Sequence, residues 1–252
     1  MPSPLVDIIM PNFNKSEYIE ESINSVINQT FIDWNLILVD DYSTDQSRRI
    51  IEKFKNNEKI NVIFLQKNKG VSFSRNLAIR HSKAKYISFL DSDDIWDLNK
   101  LENQISFMEK NNYNFTYTSY VPFTSFNKIK DYKKTVVPKK KYSFKDIILD
   151  TSIGTSTMII KKSSIGNTKF PKIKSFEDYP FKYKILKNIN AYALFESNTY
   201  YRITKNSLSS NKMRNLFQLF KVNKSYNKLH FFLNLKSIFF ISINSIKKYG
   251  FK

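Results

Sequence analysis

The sequence predicts an α/β fold with a mostly parallel sheet covered by helices on both faces, followed by a basic helical extension at the C-terminus. Three observations carry this. Short, nearly continuous apolar runs recur through the first 120 residues, as in strands buried on both faces. Segments with apolar residues at helical spacing separate them. Strands that alternate with helices build parallel sheets.

The elements follow in order. Val6 to Met10 is an apolar run stopped by Pro11 and polar residues, and reads as a strand. Residues 17–28 place Ile19, Ile23, Val26 and Ile27 on one helical stripe. Asn35 to Val39 is a second strand, and residues 40–45 carry helix-cap chemistry ahead of a helix with Ile50, Ile51 and Phe54. Asn61 to Leu65 is a third strand, ended by Asn68-Lys69-Gly70. A helix follows with Leu77 and Ala78 on one face and Arg75, Asn76 and Arg80 on the other. Tyr86 to Leu90 is a fourth strand, closed by Asp91-Ser92-Asp93-Asp94. Residues 99–110 read as a helix and Phe115 to Tyr120 as a further strand.

Composition excludes several classes. The chain has 252 residues, no cysteine, two histidines and four glycines. Disulfides, thiolate sites and histidine-rich metal sites drop out, as do glycine-rich phosphate loops. The first seven residues carry no apolar core of a secretory signal, and no run of 18 apolar residues predicts a spanning helix. Net charge is +19, unevenly placed. Residues 1–110 hold 14 Lys/Arg and 16 Asp/Glu, whereas the remainder holds 27 and 6. The basic half suits a polyanionic partner, and a Lys- and Asn-rich compositional bias is the other reading.

Ligands of open α/β sheets bind beyond the carboxyl ends of the strands. Three polar clusters lie there: Pro11-Asn12-Phe13-Asn14, Asp40-Asp41 and Asp91-Ser92-Asp93-Asp94. Five carboxylates brought together repel one another unless a cation lies among them. Hard oxygen ligands suit Mg²⁺ or Mn²⁺, held by one or two carboxylates and by phosphate oxygens of a substrate. The expectation is a metal–nucleotide site without a glycine loop. Asp45 reads as an ordinary helix-cap acid. Nucleic acid is not the expected partner, because carboxylates at the strand ends would repel phosphates.

These residues carry a resemblance. Pro11-Asn12-Phe13-Asn14, Ser25 to Phe31, Leu38 to Asp45, Asn68-Lys69-Gly70, Ser74-Arg75-Asn76 and Phe89 to Asp94 resemble, in order and spacing, an inverting glycosyltransferase of family 2. Weaker matches continue at Phe176 to Tyr179 and Tyr200 to Arg202. The resemblance implies a GT-A fold, a Rossmann-like sheet divided into a nucleotide-sugar half (1–120) and an acceptor half (121–210), with residues 211–252 as a basic helical tail. It implies that Pro11 and Phe13 line the base pocket, that Asp41 binds the base, and that Arg75 lies near base or diphosphate. Asp91, Ser92 and Asp93 form the metal and ribose loop, with Asp93 and Asp91 on the metal. Asp178 is the implied catalytic base, with Glu177 its rival and a plain helix-terminal acid the structural alternative. Arg202 and Lys205 are offered as diphosphate clamps, or as a solvated basic loop. Tyr42 departs from the pattern, since the family has glycine there and a turn with positive φ resists tyrosine.

The implied reaction moves a sugar, hexosyl or N-acetylhexosaminyl, from a nucleotide-diphosphate donor to a hydroxyl of a glycan or lipid-linked acceptor in surface polysaccharide synthesis. Uridine is the base implied. An inactive nucleotide-binding module and a nucleotidyltransferase are the alternatives. The place of action is the cytoplasm, with the inner face of the plasma membrane if the tail binds lipid.

The rest of the chain is less informative. Ile153 to Ile160 reads as a strand under the acceptor site, and His81 as a structural or surface residue. Residues 211–252 hold nine Lys/Arg and no acid, with aromatics interleaved and Lys221, Lys224 and Lys228 at helical spacing. Such a helix suits an anionic membrane, or packs on the catalytic domain or on a second copy of the chain.

Overall fold

The structure is a computed structural model describing residues 3–124, 135–196, 199–204 and 212–249. Its centre is an eight-stranded sheet. β1 (Val6–Asn12) pairs in parallel with β2 (Trp34–Asp40) and with β4 (Tyr86–Phe89), and β3 (Ile60–Phe64) continues outward from β2. Beyond β4 lie β9 (Ile159–Lys161), β6 (Phe115–Thr118), β10 (Ala191–Leu194) and β8 (Lys141–Tyr142). β9 runs antiparallel between β4 and β6, so the two halves of the chain share one sheet. A second, small sheet joins β5 (Ile95–Trp96), β11 (Thr199–Arg202) and β7 (Val121–Phe123).

β1 is apolar throughout most of its length because both its faces are covered. Val6, Ile8 and Met10 pack with Ile19, Ile23 and Val26 of α1 (Ile19–Ile27) and with Leu101, Ile105 and Met108 of α4 (Lys100–Asn111). Ile9 points the other way, into a core with Ala78 of α3 (Val71–His81), Phe89, Phe170 and Phe181. Alternate residues of a strand point to opposite faces, which is why no polar alternation marks these strands. Phe170 and Phe181 stack at 3.9 Å between centroids, adding to a core already dominated by apolar burial.

Two expectations need correction. Ile153 to Ile160 is not one strand. Thr155–Thr157 is a single 3-10 turn and only Ile159–Lys161 is extended. Thr157 donates its hydroxyl to the Gly154 carbonyl at 2.7 Å, a local bond that competes with the ladder. The helix expected through Phe54 is α2 (Ser47–Glu52), and Phe54 lies in the turn after it.

The tail is a helical hairpin, α8 (Lys212–Ser225) and α9 (Phe231–Tyr249), rather than one helix. Lys228 sits in the link with φ +57°, off the helical face of Lys221 and Lys224. The hairpin packs on the domain: Leu219, Val222, Leu229 and Ile241 join the core, and Ser237 donates to the Ile148 carbonyl of α5 (Phe144–Leu149) at 2.6 Å. Among the described residues no helix is long and apolar enough to cross a membrane.

Candidate active site

The ends of β1 and β2 are tied together first. Asp40 is fully buried, and accepts from Asn12 Nδ2 at 2.9 Å, from Ser43 Oγ at 2.5 Å and from Arg48 Nε at 2.7 Å. Asp40 is thus a structural acid with a protein cation beside it. Asp41 faces the next loop and accepts the backbone N–H groups of Lys69 and Gly70, both at 2.7 Å. Gly70 has φ +87°, a conformation that glycine adopts without strain. Burial pushes the Asp41 carboxyl above its ordinary range despite those two donors. Tyr42 does take the positive-φ position (φ +66°), with the Arg48 guanidinium 5.3 Å from its ring centroid. Tyrosine thus occupies a left-handed position here. Asp45 acts as expected of a cap acid, accepting from the backbone N–H groups of Ser47 and Ser16, each at 2.9 Å. Pro11 is buried inside β1, while Phe13, the next odd residue, is half-exposed at its end.

The turn after β4 supplies three further acids in three environments. Asp91 Oδ1 meets Arg75 Nη2 at 2.6 Å, and Arg75 Nη1 meets Glu177 Oε1 at 2.6 Å, 102 residues away. Asp93 Oδ2 meets Lys15 Nζ at 2.5 Å. Asp94 is buried, accepting from Ser156 Oγ at 2.5 Å and from the Arg202 backbone N–H at 2.9 Å. Burial, with repulsion from Asp93 and Asp91, pushes the Asp94 carboxyl well above the usual range. Ser92 is buried within the turn. Three of the five carboxylates thus have a protein cation beside them: Lys15 on Asp93, Arg48 on Asp40 and Arg75 on Asp91.

Arg202 is directed differently from expectation. Its Nε donates to the Asp93 carbonyl at 2.7 Å and its Nη2 pairs with Glu21 at 2.5 Å. Its guanidinium lies between the Tyr18 and Phe123 rings, 4.6 and 4.5 Å from their centroids. It is a buried support beneath the Asp93–Asp94 turn rather than an outward clamp, because aromatic faces and a carboxylate enclose it. Lys205 lies outside the described residues.

Asp178 is the first residue of α7 (Asp178–Leu186), where helix N-termini favour a carboxylate. Its Oδ2 accepts from Lys182 Nζ at 2.6 Å and from Thr155 Oγ1 at 3.2 Å. Burial would raise its pKa, but the Lys182 ammonium and Arg75 override burial and hold the carboxyl below its ordinary range. Glu177 goes the other way: burial dominates over Arg75, and its carboxyl is raised. Arg75 is buried, and its two carboxylate partners outweigh the burial that would favour the neutral form.

A cavity of about 390 Å³ brings Arg75, Asp91, Asp94, Thr155, Glu177 and Asp178 together. Pro11, Phe13, Asp41 and Asp93 lie outside its lining, towards the ends of β1, β2 and the turn after β4. Lys15, Ser156 and Lys182 join the site without belonging to any motif of the sequence. Only Lys182 left a signal, standing at i+4 from Asp178 on a helix.

The donor set fits a divalent cation. The Asp93 and Asp91 side chains keep 20% and 32% of their surface exposed, and both present hard oxygens. Among the described residues no three His, Asp or Glu side chains enclose a cation by themselves.

Comparisons with known proteins identify the relatives of this chain. The family model described as Glycosyl transferase family 2 matches residues 7–167. WfaP of Escherichia coli, a UDP-Glc:alpha-D-GlcNAc-diphosphoundecaprenol beta-1,3-glucosyltransferase, is 34% identical over 98% of this chain and 96% of its own. TarP of Staphylococcus aureus, a poly(ribitol-phosphate) beta-N-acetylglucosaminyltransferase, is 33% identical over 90% of this chain and 68% of its own. The crystal structure of S. aureus TarS 1-349 superposes with a TM-score of 0.67 at 25% identity, covering 78% of this chain and 60% of that one.

Proposed function

The chain belongs to glycosyltransferase family 2, and from that premise we propose that it transfers a sugar from a UDP-sugar to a hydroxyl of a lipid-linked glycan in bacterial surface polysaccharide synthesis, with inversion at the anomeric carbon. The observation that carries this reading is the cavity that Asp91 and Asp178 share, with Arg75 between Asp91 and the neighbouring Glu177.

The residues divide the work. Phe13 and Asp41, at the strand ends, would take the base, and Pro11 shapes the backbone behind them. Asp93, with Asp91 and Ser92 in the same turn, would hold Mn²⁺ or Mg²⁺. A bound divalent ion acts as a Lewis acid and offsets charge on a departing diphosphate. Arg75 orients Asp91 and Glu177. Arg202 fixes the turn that carries Asp93. The hydrogen bonds to Asp178 fall on Oδ2, and Oδ1 is the atom offered to the acceptor. The acceptor oxygen forms a bond to the anomeric carbon from the face opposite the diphosphate. The bond to the diphosphate breaks, UDP leaves, and the hydroxyl proton passes to Asp178. A carboxylate held ionised by Lys182 is ready to take it.

The test is nucleotide release from a panel of UDP-sugars with an undecaprenyl-diphosphate-linked sugar acceptor, with and without Mn²⁺. Metal-dependent UDP release that rises with acceptor supports the reading. Release of pyrophosphate in place of UDP, or nucleotide binding without turnover, overturns it.

A further inference from the structure

The C-terminal hairpin holds a buried polar network between its helices and leaves part of its apolar surface outside. Between its helices Asn223 Nδ2 donates to Asn234 Oδ1 and to Ser237 Oγ, both at 3.0 Å, and Asn227 Nδ2 donates to Asn223 Oδ1 at 3.0 Å. All four of these polar residues are buried. The outward side carries the aromatics: Phe232 is 78% exposed, Phe239 61%, Phe231 59% and Phe217 58%, with Leu235 beside them. Phe231, Leu235 and Phe239 follow one another at i, i+4 and i+8, so they form one ridge along α9. A helix of a water-soluble domain turns its apolar stripe to the core. This hairpin does so only in part.

We propose that this ridge docks on an anionic phospholipid surface, with α9 lying in the plane of the headgroups. Charge argues for that occupant. Residues 212–249 contain no Asp or Glu, and Lys221 and Lys224 of α8, Lys228 of the link, and Lys236 and Lys247 of α9 are exposed. Lysines flanking an apolar face attract anionic headgroups while the rings enter the acyl boundary. A second copy of the chain fits less well: interface cores are poor in lysine, and a two-fold contact would set these lysines against themselves. Insertion across the bilayer is not required, since no described helix is suited to it.

The hairpin also reaches the site, because Asn215 of α8 lines the cavity that holds Asp178. Docking would bring the cavity mouth to the lipid surface, where a lipid-linked acceptor presents its sugar. This last step rests on the proposed reaction; the docking itself does not.

The full chain is floated with vesicles of phosphatidylcholine, and of phosphatidylcholine mixed with phosphatidylglycerol. Binding to the anionic vesicles that weakens with salt is expected. F232S/L235S/F239S should bind at least about tenfold more weakly, since buried apolar area sets the affinity, and it should retain the parent's melting temperature because these side chains lie in solvent. K221E/K224E/K236E should lose the preference for anionic vesicles. Equal binding of parent and serine variant overturns the proposal. So does a parent dimer, seen by sedimentation, that the serine variant converts to monomer. UDP release is followed in the same samples. Its absence from a parent that binds vesicles overturns the reaction and leaves the docking standing.

Discussion

Lys182 Nζ lies 2.6 Å from Asp178 Oδ2, one turn further along α7, and also donates to the Ile153 carbonyl at 2.6 Å. The lysine is almost wholly buried, so this ammonium has two fixed acceptors and faces the carboxylate from below. The pair fixes both the orientation and the ionisation of the proposed base.

Removing that cation should move the acid limb of the rate profile. In the parent, burial raises the Asp178 carboxyl and Lys182 and Arg75 reverse it, so the base stays ionised from neutral pH down past the ordinary carboxylate range. In Lys182→Met the largest cause opposing burial is gone, and Arg75 and Thr155 alone remain against it. The limb of kcat against pH then shifts upward and activity is lost at a less acidic pH. The sign for stability is the same: a depressed carboxylate stabilises the fold above its unfolded pKa, and that stability is lost as pH falls through the folded value. Breaking such a pair costs about 3 kcal/mol, so melting is measured beside the kinetics. An unmoved limb in a folded variant removes Lys182 from this role.

Loss of the base should separate chemistry from donor binding. Asp178→Asn is expected to lower kcat by roughly 10²–10⁴-fold, with UDP affinity nearly unchanged. Glu177→Gln removes a counter-charge from Arg75 rather than the proton acceptor, and should cost less. Transfer rates at saturating donor and UDP titrations distinguish them. A dead Glu177→Gln beside an active Asp178→Asn would reverse the two roles.

Lys15 occupies the carboxylate proposed for the metal, at 2.5 Å. The two cations therefore compete. Asp93→Ala should abolish Mn²⁺-dependent UDP binding. Lys15→Met should strengthen Mn²⁺ binding in the absence of donor by about fivefold, the equivalent of an ion pair worth about 1 kcal/mol. Calorimetry reads both. Unchanged metal affinity in both variants would place the ion elsewhere.

Tyr42 sits at φ +66°, where a β-branched side chain is strained most. Tyr42→Val should destabilise the protein by about 1–2 kcal/mol, and Tyr42→Asn should come close to neutral. Urea titrations measure the difference. Equal stability of the two variants would show that the turn relaxes.

Much of the fold was legible because it is local. Strand runs such as Asn35 to Val39 and the stripe of Ile19, Ile23 and Val26 announce themselves in short windows. Asp91 and Asp93 stand out as carboxylates closing a buried strand, whereas Asp178 is marked only by the family resemblance, since an acid opening a helix is by itself ordinary. What was hidden depends on distance in sequence. Arg75 meets Glu177 across 102 residues, and Lys15 meets Asp93 across 78. Arg202 was read from its charge alone, whereas two aromatic faces and Glu21 determine where it points. The hairpin misled for a related reason. Its buried face mixes Asn223, Asn227, Asn234 and Ser237 with Leu219, Val222, Leu229 and Ile241, while further apolar residues face outward, so the apolar period alone does not say which face is covered.

The position of β9 bears on how the protein comes into being. A ribosome delivers β4 and β6 well before β9, yet those two strands do not pair with each other; the later strand must slot between them. The Asp94 turn waits longer still, since its Oδ1 receives the amide of Arg202. A nascent chain ending near residue 150 therefore exposes two unpaired strand edges and lacks a finished carboxylate turn. Contacts of such separation make for slow, late closure. Release of stalled chains at residues 125, 165 and 205 should give protease-resistant protein only at the last length. A resistant 1–125 fragment would show that the first half closes unaided.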